Sequence, residues 1–215
     1  MKNFRIPFCF LMLIWLLCTC TPITDPNTVV IGNQKWMVKN LDVDHYANGD
    51  SIPMVTSDKW DTLKTGAWCY YENNRKDSVG NKTYGKLYNW YAVTDPRGLA
   101  PKNWHIPTNA EWKTLVIYCG GQLNAGYKLK SSDYWKTVNG NSGGGSNSSK
   151  FTALPGGWRA FGVFGARGTI GTWWTSTEGS NTNNAYTCVM TAGSNYAMSI
   201  EHTKNTGFSV RCISD

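Results

Sequence analysis

Residues 98–112 read GLAPKNWHIPTNAEW, and this run constrains the fold more tightly than any other stretch of the chain. Thr108 is followed three residues later by Glu111. That is the spacing of a capping box, in which the hydroxyl takes the N3 amide while the carboxylate reaches back to the cap amide. Pro107 stands just before the cap, where a helix cannot yet have begun. The pattern predicts an irregular edge segment, Trp104-His105-Ile106, leading into a helix from Ala110 to about Cys119. Trp112, Leu115 and Val116 fall on one face of that helix, and Gly120-Gly121 supplies its stop.

The beginning of the chain points to export. Lys2 and Arg5 precede an apolar run, Ile6 to Leu17, which fits the h-region of a signal peptide. A membrane-spanning helix needs about 20 apolar residues, so the run is short for an uncleaved anchor. Leu17-Cys18-Thr19-Cys20 resembles a lipoprotein cleavage box in which Cys20 becomes the acylated N-terminus. Cys18 and simple secretion with cleavage near Thr19 are the competing readings. The expected organisation is a signal peptide over 1–19, a tether over 20–29 with two prolines, and one domain over 30–215. Removing Lys2 and Arg5 lowers the formal charge from +7 to +5. The remaining charges are scattered along the chain, which suits solubility and lacks the basic stripe of a nucleic-acid binder.

Eleven tryptophans, eleven tyrosines and 22 glycines, with few long apolar helices, predict a turn-rich and aromatic-packed architecture. Val29 to Val38 alternates around Gly32-Asn33 as a hairpin, and Gly66 to Tyr71 reads as a strand. Tyr84 to Val93 carries Leu87, Trp90 and Tyr91 at helical spacing and is read as the first helix. Strands are expected at Ala185 to Thr191, Tyr196 to Ile200 and Gly207 to Ile213. The glycine- and serine-rich run 139–149 cannot bury apolar area and is expected to be a mobile surface loop. The resulting expectation is an α+β fold, loop-rich, with two short helices packed on a twisted antiparallel sheet.

Several segments carry a resemblance in a fixed order: IGNQKWMVKNLDV (31–43), GAWCYYENN (66–74), YGKLYNWYAV (84–93), the capped segment, FTALPGGWR (151–159), GTWWTST (171–177) and GFSVRCISD (207–215). Together these resemble the Fibrobacter succinogenes major paralogous domain over nearly the whole expected mature chain. The order is also similar in outline to C-type-lectin-like and formylglycine-generating folds. Four cysteines follow Cys20, namely Cys69, Cys119, Cys188 and Cys212. An even count in an exported chain predicts disulfides, with three connectivities open from the residues alone. The resemblance implies Cys69 with Cys212, which lie inside the family segments, and leaves Cys119 with Cys188. The family often has a cysteine where this chain has Ala100, a departure that keeps the pairing open.

The sequence holds no persuasive catalytic constellation. His45, His105 and His202 lack a second ligand type at zinc spacing, and no nucleophile elbow or phosphate loop occurs. His105 reads as a hydrogen-bonded structural histidine. Asp42, Asp44 and Asp50 lack the glycine and closing glutamate of a calcium loop, and the sugar-binding triplets of calcium-dependent lectins are missing. A close cysteine pair, as the formylglycine-generating resemblance would require, is also missing. No cofactor and no metal are expected. What remains is surface recognition by the C-terminal third. Trp173, Trp174, Asn181, Asn183, Asn184, Tyr186, Asn195 and Tyr196 combine rigid rings with adaptable short polar groups. In a strand, one of the two adjacent tryptophans faces the core, and the core is expected to take at least one. The expectation is a non-catalytic, lipid-anchored module at the outer membrane or cell surface, recognising a glycan or protein ligand. An envelope- or polysaccharide-acting enzyme and a structural envelope protein are the alternatives.

Overall fold

The computed structural model describes residues 25–75 and 77–215. The signal peptide, Cys20 and the first part of the tether lie outside the described residues. In chain order the strands and α-helices are β1 (Thr28–Ile31), β2 (Gln34–Met37), β3 (Trp68–Cys69), α1 (Ser78–Tyr84), β4 (Leu87–Tyr88), α2 (Trp90–Val93), β5 (Trp104–His105), α3 (Asn109–Tyr118) and α4 (Ala125–Leu129). Then follow β6 (Trp158–Ala160), β7 (Val163–Gly165), β8 (Ile170–Glu178), β9 (Asn184–Thr191), β10 (Met198–Thr203) and β11 (Ile213–Ser214). The class is α+β with antiparallel pairing, but the described residues form several small sheets instead of one. The orders are β1-β2-β11-β5, β10-β9-β8, β3-β4 and β6-β7.

Local chemistry explains the helix that the sequence marked most clearly. Thr108 caps α3 through a bond from the Glu111 amide at 3.2 Å, and the Glu111 carboxylate returns to the Thr108 amide at 2.7 Å. The segment before it, β5, is an edge strand that pairs with β11. Among the described residues four α-helices form where two were expected. Tyr84 to Val93 splits into β4 and the single turn of α2, because Asn89 accepts a bond from the Ala92 amide and starts the turn late. The charged connection after Glu72 contains α1, started by the Asp77 side chain. Most of Gly207 to Ile213 stays outside regular strands. It bridges three partners in passing, Arg159 with Gly207, Tyr88 with Phe208 and Trp173 with Ser209.

The core lies in two main layers on either side of β8. Trp173 joins Trp36, Trp112, Leu115 and Phe151 beneath α3, whereas Trp174 joins Tyr88, Trp90, Phe208 and Val210 on the other side. Trp36, Trp112 and Phe151 meet at centroid separations of 5.0 to 5.5 Å in tilted and edge-on geometries. Such pairs add about 0.5–1.5 kcal/mol each beyond the area they bury. Several indole N–H groups are spent on ties between distant segments. Trp68 donates to Ile52 O, Trp90 to Thr175 O, Trp135 to Ala153 O and Trp174 to Tyr88 O, at 2.8 to 3.0 Å.

The basic residues depart from the expectation of a scattered solvated charge. Lys86, Lys130, Arg159, Lys204 and Arg211 are all buried. Arg211 has no exposure, and burial pushes its pKa down to about 9, so it still carries charge at neutral pH. Its guanidinium donates to Phe151 O at 2.6 Å and to the Asn40 Oδ1 at 2.7 Å, and lies 4.6 Å from the Phe151 ring. Asn40 Oδ1 also accepts from the Trp173 indole at 2.8 Å, and its amide donates to Tyr84 O at 2.8 Å. Arg159 likewise binds Val55 O and Ser57 O at 2.6 and 2.7 Å, above the Trp60 ring.

Lys130 explains the glycine run. Its ammonium donates to Gly143 O, Thr191 O and Ser194 O at 2.7 to 3.0 Å, over the Trp135 ring. Burial pushes its pKa down to about 8. A Cβ added at Gly143 would meet Lys136 O at 2.0 Å, and one at Gly145 would meet Tyr127 O at 2.1 Å. The glycines therefore admit backbone to backbone, which composition alone had read as a mobile loop.

The expected disulfides are not formed. Cys69, Cys119, Cys188 and Cys212 are free and buried. Cys69 lies in the small cluster around Trp60 while Cys212 belongs to the one around Trp174, so the pair implied by resemblance is divided between two apolar environments. Burial pushes the thiols up, Cys69 to about 11 and Cys212 to about 12, which leaves them unreactive.

Two stability outcomes follow. Asn40→Ala strips an acceptor from a buried guanidinium and a buried indole, and is expected to cost on the order of 3 kcal/mol in urea unfolding. Gly145→Ala is expected to lower the unfolding midpoint as well, whereas Ser148→Ala, at an exposed neighbour, leaves it within about 0.5 kcal/mol of the parent.

Candidate binding groove

The three-stranded sheet is covered along its whole length on the α3 face, and only around Trp174 and Ala185 on the other. Strand alternation sends Trp173, Cys188 and Met190 towards α3. Ile170, Thr172, Val189, Met198, Ile200 and His202 point the other way. Together with Trp158, Phe161 and Phe208 they enclose an open groove of about 610 Å³. The hairpin β6–β7 forms one wall, and its tip residue Phe161 is 84% exposed. On the opposite side β10 is an edge strand, with β9 its single neighbour in the sheet. A smaller cleft of about 340 Å³, lined by Asp61, Lys64, Asn183 and Asn205, adjoins the hairpin tip.

His202 gives the groove its one imidazole. Thr187 donates its hydroxyl proton to Ile200 O at 2.9 Å, so the contact between Thr187 Oγ1 and His202 Nδ1 at 3.1 Å needs a proton on Nδ1. Nε2 is then a lone-pair acceptor with no partner among the described residues. Burial lowers the His202 pKa and keeps the ring neutral, edge-on to Phe208 at 4.9 Å. Glu201, one residue earlier, pairs with Tyr186 and also lines the groove. Its carboxylate accepts from the Ser180 hydroxyl at 2.9 Å, and hydrogen bonds from Ser180, Tyr186 and Asn184 hold its pKa below the usual range. Lys204 is paired with Glu178 beneath this end, over the Trp90 ring.

Of the eight residues expected to form a binding face, few come together. Trp173 and Trp174 are both fully buried, because β8 is covered on each side at that point, and their indoles bond to Asn40 and Tyr88. They do not reach a ligand. Tyr186, opposite Glu201 in register, lies on the α3 side of β9. Asn195 and Tyr196 sit at the far end, where Asn195 O accepts from the Gly126 amide at 2.8 Å. Asn181 is spent on the β8–β9 turn, accepting from the Asn183 amide. Only Asn184 lines the groove, with Asn183 in the adjoining cleft. The missed residues had a signal: Met198, Ile200 and His202 alternate with polar neighbours through one strand.

His105 turns out to carry two carboxylate partners. Nε2 contacts Glu111 and Nδ1 contacts Asp215, each at 2.8 Å. Only an imidazolium can donate to both, so the ring latches the C-terminus to the capped end of α3 and has no nitrogen left for a substrate. Among the described residues no group of three His, Cys, Asp or Glu side chains could hold a metal ion.

The sequence profile described as Fibrobacter succinogenes major domain matches residues 29–214. The chain belongs to that family. Neither the curated proteins nor the solved structures give a match. The motifs of the major domain that the chain carries are, on this geometry, its scaffold: the GWR and SVR arginines are the buried guanidiniums, and the WWTS tryptophans flank β8 in the two core layers.

The latch is pH-dependent in a definite sense. Burial opposes the charge on His105, but bonds to Glu111 and Asp215 raise its pKa above 6.5. Glu111, bonded by Thr108 and His105 against the cost of burial, falls below 4.5. The histidine's contribution is complete below pH 6.5 and lost as pH rises through its folded pKa. The carboxylate's is complete above 4.5 and lost on acidification below that. The stability gap between parent and His105→Gln, measured by denaturant titration, is expected to be widest between about pH 4.5 and 6.5 and to shrink above it.

Proposed function

We propose that the protein is a non-catalytic, lipid-anchored envelope module that binds an extended segment of a partner protein in the groove beside β10. The observation that carries this reading is an aliphatic floor of Ile170, Val189, Met198 and Ile200 running alongside an edge strand. Edge strands present unpaired backbone groups, and an added strand supplies hydrogen bonds while its alternate side chains enter neighbouring pockets. Nε2 of His202 offers such a segment an acceptor for one donor. A C-type-lectin-like fold is proposed for the same domain on the order of its motifs, without the calcium-dependent sugar chemistry.

A glycan ligand is less well supported: Trp158 and Phe161 offer rings at the wall, but the floor is aliphatic and gives sugar hydroxyls few polar partners. Catalysis is less well supported because the Glu201 carboxylate, which also lines the groove, is already bonded by Ser180, Tyr186 and Asn184, and His202 Nδ1 is held by Thr187. The lipid anchor rests on the Cys20 cleavage box and the export signal before it.

The test uses the full detergent-extracted chain against a displayed peptide library and, in parallel, a panel of envelope polysaccharides. Selection of peptides alternating apolar residues is expected. Ile200→Glu, at a position 37% exposed, should abolish their binding while far-ultraviolet dichroism and the unfolding midpoint stay close to the parent. Acidification below pH 6.5 should weaken binding in the parent and not in His202→Gln. Peptide binding that survives Ile200→Glu, selective binding of a polysaccharide, or turnover of one, overturns the reading.

A further inference from the structure

We infer that the outer face of α3, together with the β1–β2 turn, is a membrane-contacting surface that seats the domain on an anionic bilayer with the groove turned away from it. The inference rests on the proposed acylation of Cys20. Large apolar side chains are exposed where this part of the chain begins: Val30 is 67% exposed, Ile117 73% and Tyr118 65%. They are neighbours across elements. The Tyr118 ring lies against the β1–β2 turn, 3.0 Å from where a Gly32 Cβ would stand, and Val30, Tyr118 and Lys128 line one shallow cleft. Leu123 and Tyr127, 61% and 49% exposed, flank Lys128 on the segment leading into and through α4.

Three observations favour a lipid surface as the occupant. Thr28, where β1 starts, is eight residues from Cys20, a tether of at most about 27 Å. A domain of this length has a radius of gyration of about 16 Å, so its diameter exceeds that reach and the side bearing β1 must stay near the anchor. The face is also free of carboxylates: no Asp or Glu occurs from Trp112 to Lys130, whereas Lys113 and Lys128 are exposed there. Exposed tyrosines among apolar side chains and lysines match the headgroup region, where an amphipathic ring keeps its hydroxyl wet and lysines meet anionic lipid. Finally, the layers of the fold fix the consequence. α3 packs on the Trp173 side of the β8–β10 sheet and the groove opens from the other side, so seating α3 on lipid presents the groove outward.

The experiment uses the acylated full chain reconstituted in phosphatidylcholine–phosphatidylglycerol vesicles, with Ile117→Cys or Phe161→Cys labelled by a fluorophore; the described native thiols are buried and stay unlabelled. Expected are quenching of the Ile117 label by nitroxide lipid with loss of iodide quenching, and the reverse for the Phe161 label. Tyr118→Glu in the Ile117→Cys background should restore iodide access. A chain that floats with the vesicles yet shows both labels equally open to iodide overturns the orientation and leaves the anchor standing. A chain that does not float overturns the anchor and the orientation together. Shielding of the Ile117 label in the unacylated chain, in buffer free of lipid and detergent, means a protein covers this face, and overturns the lipid assignment.

Discussion

The buried guanidinium of Arg211 is the constraint around which the rest is arranged. A charge with no exposure, and no carboxylate partner among the described residues, persists only if fixed dipoles replace its water. Here Asn40 Oδ1, Phe151 O and the face of the Phe151 ring do so. Asn40 simultaneously holds the Trp173 indole and reaches Tyr84 O, so one amide joins the segment after β2, the α1 end, the centre of β8 and the C-terminal segment. Lys130 and Arg159 repeat the device, each with an aromatic ring as one wall, whereas Lys86 and Lys204, also beside rings, meet the Asp42 and Glu178 carboxylates. A loop-rich chain with short strands has few ladder bonds to organise it, and buried cations reading out backbone carbonyls supply the missing specification.

This organisation decides where recognition can take place. β8 carries Trp173 into one core layer and Trp174 into the other, so the centre of the sheet is closed on both sides. Towards β10 the second layer runs out, and the face bearing Val189, Met198, Ile200 and His202 is left open beside the β6–β7 hairpin. The groove is thus a consequence of layers of unequal extent. The polar asparagine-rich turns, which look like a recognition surface in one dimension, are partly committed to the fold, Asn181 closing the β8–β9 turn and Asn195 O tying the β9–β10 turn to α4.

Legibility in the sequence followed the range of the forces involved. The Thr108–Glu111 box and the Gly32-Asn33 hairpin were readable because their bonds close within a few residues. Tyr84 to Val93 was misread as one helix because Asn89 diverts the chain into a turn, and the strand half is paired with Trp68 and Cys69 some twenty residues away. The run 139–149 is the surface loop its composition announces, but the packing of Gly143 to Gly145 was not legible, because nothing local announces that Lys130 will hold Gly143 O or that Tyr127 O will sit where a Cβ would be. Alternation at Met198, Ile200 and His202 marked one face of a strand, but nothing marked that face as the uncovered one.

By itself the sequence determined the family, through ordered motifs matched over residues 29–214, and the local starts and stops whose hydrogen bonds are short-range. It also determined which residue types bring donors into the core, arginine and tryptophan, most of which are met, with the Trp112 indole and Arg159 Nε left without a partner among the described residues. Only the tertiary structure decided which partners those are, which of two adjacent tryptophans stays hidden (both), and that four cysteines remain thiols. The physical reason is that burial and long-range pairing are properties of surfaces brought together. A residue's exposure is set by what the rest of the chain lays over it, and no local pattern carries that information.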